Sequence, residues 1–191
     1  VDAKVEEEYQ GRIAKVALTS FGYISLLDDG NVAFTGMKKS SISKVPEELL
    51  TGGNVVDITA GDSCCAALTK DGRIVIWGNT THGEENIPTE IDGKFVSVQG
   101  GKYHFTALTD TGRLYSWGED LFGQSDVPSG LAKEKVTAFY TNYFQNYAQT
   151  ESGKLYKWGL KGYILGTDNL GRDILTRLIN GGRMTMTVGA V

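Results

Sequence analysis

The sequence predicts an all-β, propeller-like fold of about four blades, the last one partial, with a short C-terminal helix after them. The first observation behind this prediction is a repeated motif. The stretch "TDTGRLYSWG" at 109–118 returns as "TKDGRIVIWG" at 69–78 and as "TESGKLYKWG" at 150–159. A weaker copy without the tryptophan, "DDGNVAFTG", lies at 28–36. Four copies of one hairpin-like motif indicate four small units of the same kind.

The second observation is the regular spacing of these copies. Their turn glycines are 42, 40 and 41 residues apart, and a closing glycine lies six residues after each. The turn glycines are Gly30, Gly72, Gly112 and Gly153, and the closing glycines are Gly36, Gly78, Gly118 and Gly159. A period of about 40 residues is the size of one supersecondary unit that buries its apolar face only against its neighbours. Small antiparallel sheets repeated at this period are typical of propeller blades.

Each copy is predicted to contain three strands. In the second copy these are residues 54–59, 64–69 and 73–77, with Asp71-Gly72 forming a tight hairpin because glycine accepts a positive φ. Both faces of the third strand are apolar, which indicates a sheet covered on both sides. The polar stretch from each closing glycine to the next proline is predicted to be a surface loop, with room for a short outer strand at an edge.

The fourth copy departs from the pattern. Gln149 stands where the other copies have leucine, and no proline follows Gly159, whereas Pro46, Pro88 and Pro128 each follow a closing glycine by ten residues. A closed four-blade ring, an open arc and an arc completed by another subunit are all compatible with such a count. In an open arc the exposed edges are expected to be covered, with self-association as one means.

Composition restricts the class of protein. A chain of 191 residues with 40% hydrophobic and 22% charged residues is typical of one globular domain. The net charge of −4 argues against a nucleic-acid-binding surface. Cys64 and Cys65 are adjacent in a predicted strand, so their side chains face opposite ways. They are interpreted as buried thiols rather than as a disulfide or a metal site.

The repeats resemble those of the regulator-of-chromosome-condensation family. The stretches "AGDSCCAALTKDGRIVIWGNTTHGE" at 60–84 and "GGKYHFTALTDTGRLYSWGEDLFGQ" at 100–124 carry that resemblance, which extends over about residues 15–159. The family pattern is matched at Gly101, His104, Ala107, Leu108, Gly112, Trp117, Gly118, Gly123 and Gln124. The resemblance implies a propeller fold and says little about function.

The tail at 164–191 lies outside the repeats. A helix N-cap at Thr167 or Asp168 and apolar residues at helical spacing predict a short amphipathic helix, which would in the simplest interpretation pack on the last blade. The segment is also similar to a signature of dipeptide and oligopeptide ABC-transporter permeases, C-type subunit. The matching residues are Gly166, Thr167, Asp168, Gly171, Arg172, Asp173, Thr176, Arg177, Gly181 and Arg183.

The second resemblance implies a domain organisation and a function. Residues 1–14 would follow one membrane helix and could supply the strand missing from the last blade, residues 15–163 would form the repeat domain, and residues 164–191 would lead into the next membrane helix. The chain would then be the extracytoplasmic part of a cell-membrane permease subunit importing peptides or related small solutes. Its implied partners are a second permease subunit, an extracellular substrate-binding protein and cytoplasmic ATPase subunits. The repeats would be a protein-docking module.

Two other functions remain open on the residues alone. One is a soluble propeller that binds proteins as a regulator or inhibitor, and the other is an inert spacer. No catalytic, cofactor-binding or metal-binding set is found, so no enzyme activity is expected. His104 is expected to be a structural hydrogen-bond partner. The aromatic run "AFYTNYFQNY" at 138–147 either fills the core of copy four or exposes a partner patch at Tyr140, Tyr143, Phe144 and Tyr147.

Overall fold

Four three-stranded antiparallel sheets make up the repeat region of this computed structural model, which describes residues 7–160 and 177–178. Blade 1 contains β1 (Ile13–Thr19), β2 (Gly22–Leu27) and β3 (Val32–Gly36). Blade 2 contains β4 (Val55–Ala60), β5 (Cys64–Thr69) and β6 (Ile74–Gly78). Blade 3 contains β7 (Phe95–Gly100), β8 (His104–Thr109) and β9 (Leu114–Gly118). Blade 4 contains β10 (Val136–Asn142), β11 (Gln145–Thr150) and β12 (Leu155–Gly159). The all-β, blade-built prediction is confirmed.

The remaining elements are short. Within residues 7–160 they are one α-helix, α1 (Glu47–Leu50), and 3-10 helices at Glu7–Tyr9, Ser41–Ser43 and Ser129–Lys133. The prediction of an outer strand near the prolines is wrong for the described residues, since every blade has three strands. Pro46 directly precedes α1, and Pro128 directly precedes the 3-10 helix at Ser129–Lys133. Proline suits the start of a helical turn because its fixed φ is compatible with the helix. The N–H that it lacks would have had no hydrogen-bond partner within the helix at that position.

The first strand of each blade lies on the inside of the arc and contacts the first strand of the next blade. Each of these strands carries a bulge at the same repeat position, such as the shift between Val55 and Asp57. Within residues 7–160 the blades form an open arc, and the ring is not closed. The described part of the N-terminal segment does not extend blade 4, because Ile13 pairs with Leu27 in blade 1. A compact unit ends at Leu160, and the predicted boundary at 163 lies outside the described residues.

Three hydrophobic clusters lie between successive blades and contain the repeated tryptophans. Each indole N–H donates a hydrogen bond to a backbone carbonyl in the loop that follows the preceding blade. The accepting residue lies six positions after the closing glycine of that preceding blade. The bonds run from Trp77 Nε1 to Ile42 O (3.0 Å), from Trp117 Nε1 to Glu84 O (2.8 Å) and from Trp158 Nε1 to Gln124 O (3.1 Å). The tryptophan therefore packs one blade on the blade before it and satisfies a buried donor at the same time.

This contact explains why the end copies differ from the others. Thr35 stands at the tryptophan position of blade 1, and no blade among the described residues precedes blade 1. At the other end, Gln149 is exposed, although its repeat equivalent Leu68 is 1% exposed. The outer face of blade 4 is therefore exposed, and on it Gln149 lies beside Tyr140, Tyr147 and Leu155. The expectation that self-association covers the edges stays a prediction.

Candidate functional site

Four hairpin turns, each joining the first and second strands of a blade, come together at one edge of the arc. Ser20, Asp62, Lys102 and Tyr143 occupy the same position in these turns, at the repeat spacing. Their backbones form a chain of hydrogen bonds from blade to blade: Ser20 N to Asp62 O (3.1 Å), Asp62 N to Lys102 O (2.9 Å) and Lys102 N to Tyr143 O (2.7 Å). We call residues 20–21, 62–63, 102–103 and 143–144 the turn face. These three bonds between blades join backbone atoms only, so they do not depend on which side chain each turn carries.

A cleft of about 690 Å³ opens between these turns and the inner strands, and we call it the turn cleft. Its lining includes residues from all four blades, among them Leu18, Asp62, Lys102, Tyr140 and Tyr143. The exposed fractions are 75% for Leu18, 59% for Tyr140 and 57% for Tyr143. Large apolar groups this exposed, held on a fixed backbone, are the kind of surface that a protein partner covers.

Lys102 is held in the turn cleft by aromatic rings. Its Nζ lies 4.9 Å from the ring centres of Tyr103 and Tyr143 and 5.8 Å from that of Phe144. Burial lowers the pKa of Lys102, but hydrogen bonding with the hydroxyls of Tyr143 and Tyr103 outweighs this, so the pKa lies above its ordinary value. The ammonium group therefore remains charged at neutral pH, stabilised by cation–π contacts.

Two ring-to-ring contacts, which together we call the ring band, fix the loops that surround the turn face. The loop after blade 2 packs the His82 ring on Tyr103 of blade 3, with centroids 4.1 Å apart and planes at 16°. The loop after blade 3 packs Phe122 on Phe144 of blade 4, with centroids 5.1 Å apart. His82 and Phe122 share one repeat position, and Tyr103 and Phe144 share another. The repeat thus places one ring-to-ring contact at each of these two blade junctions.

Buried polar side chains anchor the same loops from beneath. Glu84 and Gln124, both 0% exposed, fold back on their own loops. Glu84 Oε2 accepts a hydrogen bond from His82 N (2.9 Å), and Gln124 Oε1 accepts one from Phe122 N (2.8 Å). A polar group buried in this way requires such a partner, so these bonds set the loop conformation.

His104 has the structural role that was expected of it. The imidazole is 0% exposed, and its Nε2 lies 3.1 Å from Asn146 Oδ1 of blade 4. Asn146 Nδ2 in turn donates to Gln124 O (2.8 Å). Burial lowers the pKa of His104, and the Asn146 bond and the charge of Asp120 only partly offset this. The histidine is therefore a neutral link between blades 3 and 4.

This link predicts a dependence of stability on pH. Because the pKa of His104 is lower in the folded chain than in the unfolded one, the unfolded chain binds more protons below about pH 6.5, and stability falls as the pH falls. The free energy of unfolding, measured by urea titration at about pH 7.5 and about pH 5.5, is expected to drop more in the wild type than in His104→Gln. An equal drop in both would contradict the assignment.

The two cysteines are free and buried, which confirms their interpretation as buried thiols. Burial, with a smaller effect of the Glu84 charge, raises the pKa of Cys64 to about 12. Burial also raises the pKa of Cys65. Neither thiol is activated as a nucleophile. Among the described residues no group of three or more His, Cys, Asp or Glu side chains could hold a metal ion.

Some of the aromatic residues at 138–147 fill the core of blade 4, and others are exposed. Phe139 packs against the core between blades 3 and 4. Tyr140, Tyr143 and Tyr147 are exposed, and Phe144 is half-buried in the ring band. Tyr140 pairs directly with Tyr147 across the two strands, so the two rings share one face of blade 4. Binding of a partner to this patch stays a prediction.

The permease-like signature falls almost wholly outside the described residues. Gly166, Thr167, Asp168, Gly171, Arg172, Asp173, Gly181 and Arg183 are outside them, and Arg177 and Leu178 are described as helical. No helix in the described part of the chain has the length and apolar character needed to cross a membrane.

Sequence reasoning did not find Lys102 or the turn cleft. The turn position varies in residue type from copy to copy, reading Ser20, Asp62, Lys102 and Tyr143, so it shows no motif. What identifies it is its constant distance from the turn glycine, ten residues in each copy.

The comparisons with known proteins agree with this architecture. The profile of the regulator of chromosome condensation (RCC1) repeat matches residues 55–84 and 95–124, so the chain contains RCC1-like repeats. No curated protein matches the chain by sequence.

Several solved structures are similar to the chain in fold. Human WBSCR16 is 21% identical, with a TM-score of 0.67 over 78% of this chain and 49% of that one. Yeast RCC1 (Prp20), solved with Kap60 bound, is 20% identical, with a TM-score of 0.62 over 83% and 45%. The CRINKLY WD40 ectodomain of the Arabidopsis thaliana receptor kinase ACR4 is 17% identical, with a TM-score of 0.59 over 77% and 53%. The chain thus spans about half the length of these structures.

Proposed function

We propose that the repeat arc is a protein-docking module and that its partner binds on the turn face. The observation that carries this proposal is the turn cleft, where Leu18, Tyr140 and Tyr143 are exposed on a backbone locked from blade to blade. Rigid aromatic groups lose little conformational entropy when they are covered, which makes them effective at interfaces.

Two comparisons support a docking role without establishing it. Yeast RCC1, which shares the fold, was solved with the protein Kap60 bound. The CRINKLY propeller belongs to the ectodomain of a receptor kinase. A fold of this kind is therefore compatible with protein binding and with a location on the extracellular side of a membrane.

We further propose that this module belongs to the extracytoplasmic part of an ABC-transporter permease subunit that imports peptides or related small solutes. The proposal rests on the signature in residues 164–191, whose matching positions keep one register. The repeats would hold the substrate-binding protein or the second permease subunit over the translocation path, and cytoplasmic subunits would hydrolyse ATP. The alternative is a soluble propeller that binds proteins as a regulator or inhibitor.

Peptide uptake tests the transport proposal. Cells whose full-length protein carries Tyr140→Ser and Tyr143→Ser are expected to take up less labelled peptide than wild-type cells, because the docking surface is lost. Leu155→Ser is the matched control, since Leu155 is 75% exposed at the end of blade 4 that is opposite to the turn face. Its uptake is expected to equal that of the wild type.

A deletion of residues 15–159 in frame gives the stricter version of this test. The amount of each variant in the membrane fraction is measured in parallel, so that loss of the protein is not mistaken for loss of docking. Normal uptake by the deletion variant at a normal membrane level would contradict a docking role in transport.

A further inference from the structure

The turn cleft contains a cation whose charge is not neutralised by a carboxylate. In the described part of the chain, Lys102 is the only residue lining the cleft that has a cationic side chain. No described carboxylate lies within ion-pair distance of its Nζ, and rings surround it instead. At the opposite edge of the arc, by contrast, Arg73 forms an ion pair with Glu48 and Arg12 forms one with Asp28.

Asp62 is the carboxylate among the described residues of the lining; it keeps its charge and forms no ion pair with Lys102. Asp62 Oδ1 accepts a hydrogen bond from Ser20 Oγ (2.9 Å). The remaining polar groups of the lining include the hydroxyl of Tyr143 and the side-chain amide of Asn142, both of which can donate hydrogen bonds. An uncompensated ammonium group among such donors is the environment that a carboxylate ligand requires.

The surroundings limit how acidic the ligand can be. Asp120 and Asp126 are exposed in the loop after blade 3, and Glu85 is exposed in the loop after blade 2. None of the three forms an ion pair among the described residues. A run of acidic residues would be repelled by these loops, whereas a single carboxylate with apolar neighbours would meet Leu18 and Tyr140 on either side of the cleft.

We propose that the turn cleft binds one carboxylate side chain, flanked by apolar residues, from an extended segment of the partner protein, and that Lys102 is the group that binds it. The proposal rests on the proposed docking function and specifies its chemistry. The backbone of Lys102 holds the turns together through its N–H and its carbonyl, so a substitution of the side chain leaves those bonds in place.

The probe is the blocked peptide acetyl-Gly-Leu-Glu-Leu-Gly-amide, with glutamine and lysine versions as controls. Each is titrated into the ¹⁵N-labelled 191-residue chain, and amide shifts of Ser20, Asp62, Lys102 and Tyr143 are followed. The glutamate peptide is expected to shift these signals and the other two peptides to bind more weakly. Lys102→Met is expected to weaken glutamate-peptide binding by about fivefold, and Lys102→Arg to retain it.

A control lysine separates this effect from a general loss of charge. Lys94 is exposed at the other end of blade 3, where its carbonyl accepts a bond from Asp110 N (3.0 Å). Lys94→Met is expected to bind the glutamate peptide as the wild type does. Equal binding by Lys102→Met, equal or tighter binding of the lysine peptide, or no shift with the glutamate peptide would overturn the proposal. If one of these results were obtained and a partner protein were nevertheless cross-linked to a photoreactive residue at position 143, the docking proposal would stand. Only the proposal that the partner binds through a carboxylate would be wrong.

Discussion

Replacement of Trp117 by alanine is expected to lower the free energy of unfolding by about 3–5 kcal/mol. The indole is 5% exposed, lies beside the rings of Phe95 and Phe105, and donates to Glu84 O across the blade junction. The substitution removes the packing between blades 2 and 3 and leaves a buried carbonyl without its donor. Urea unfolding followed by far-ultraviolet circular dichroism measures the change.

The control for this variant is Leu155→Ala. Leu155 is 75% exposed on the outer face of blade 4, so its loss is expected to change the unfolding free energy by no more than about 0.5 kcal/mol. Trp117→Phe keeps one aromatic ring in the junction and removes the N–H together with part of the indole, so its loss of stability is expected to lie between those of Trp117→Ala and Leu155→Ala. A loss of less than about 1 kcal/mol for Trp117→Ala would show that the blades are not held together in this way.

Replacement of the closing glycine Gly118 by alanine is expected to cost on the order of 3 kcal/mol. Its φ is +107°, and an added Cβ would lie 2.5 Å from Tyr103 O and 2.8 Å from His104 Cα. Both neighbours are backbone atoms of the paired strand and turn, so they can move only if the blade is distorted. The residue after this glycine also bonds to the same carbonyl, from Glu119 N to Tyr103 O (2.9 Å).

Gly123→Ala is the matched control for this strain. Gly123 also has a positive φ, +73°, but a Cβ there would meet nothing within 4 Å. Gly123→Ala therefore measures the loss of stability caused by the positive φ alone, which is expected to be about 1 kcal/mol. If Gly118→Ala proved no more destabilising than Gly123→Ala, the close approach of turn and strand would not be the reason that the closing glycine recurs in every copy.

The sequence predicted most of the blade architecture because its constraints are local and repeated. Gly72 was expected to form a hairpin turn, and it does so with a φ of +85°. The strands predicted at 54–59, 64–69 and 73–77 are observed within one residue at each end. Even the departure at Gln149 has a physical reason, because blade 4 has an exposed outer face.

The binding surface could not be predicted in the same way, since it depends on how blades pack rather than on any one blade. Lys102 and Tyr143 are 41 residues apart and acquire their relation only when blades 3 and 4 are side by side. The error about the outer strand has a similar origin. Proline is compatible both with an edge strand and with the start of a helical turn, and Pro46 and Pro128 adopt the second role.

Site-specific photo-cross-linking tests most directly whether the turn face is the surface that binds a partner. A photoreactive residue is placed at Tyr143 or at Leu155 of the full-length protein, in the cells that produce it. The account predicts a discrete cross-linked protein at Tyr143 that disappears when Tyr140 is also replaced by serine, and none at Leu155. A partner cross-linked at Leu155 and not at Tyr143 would contradict it.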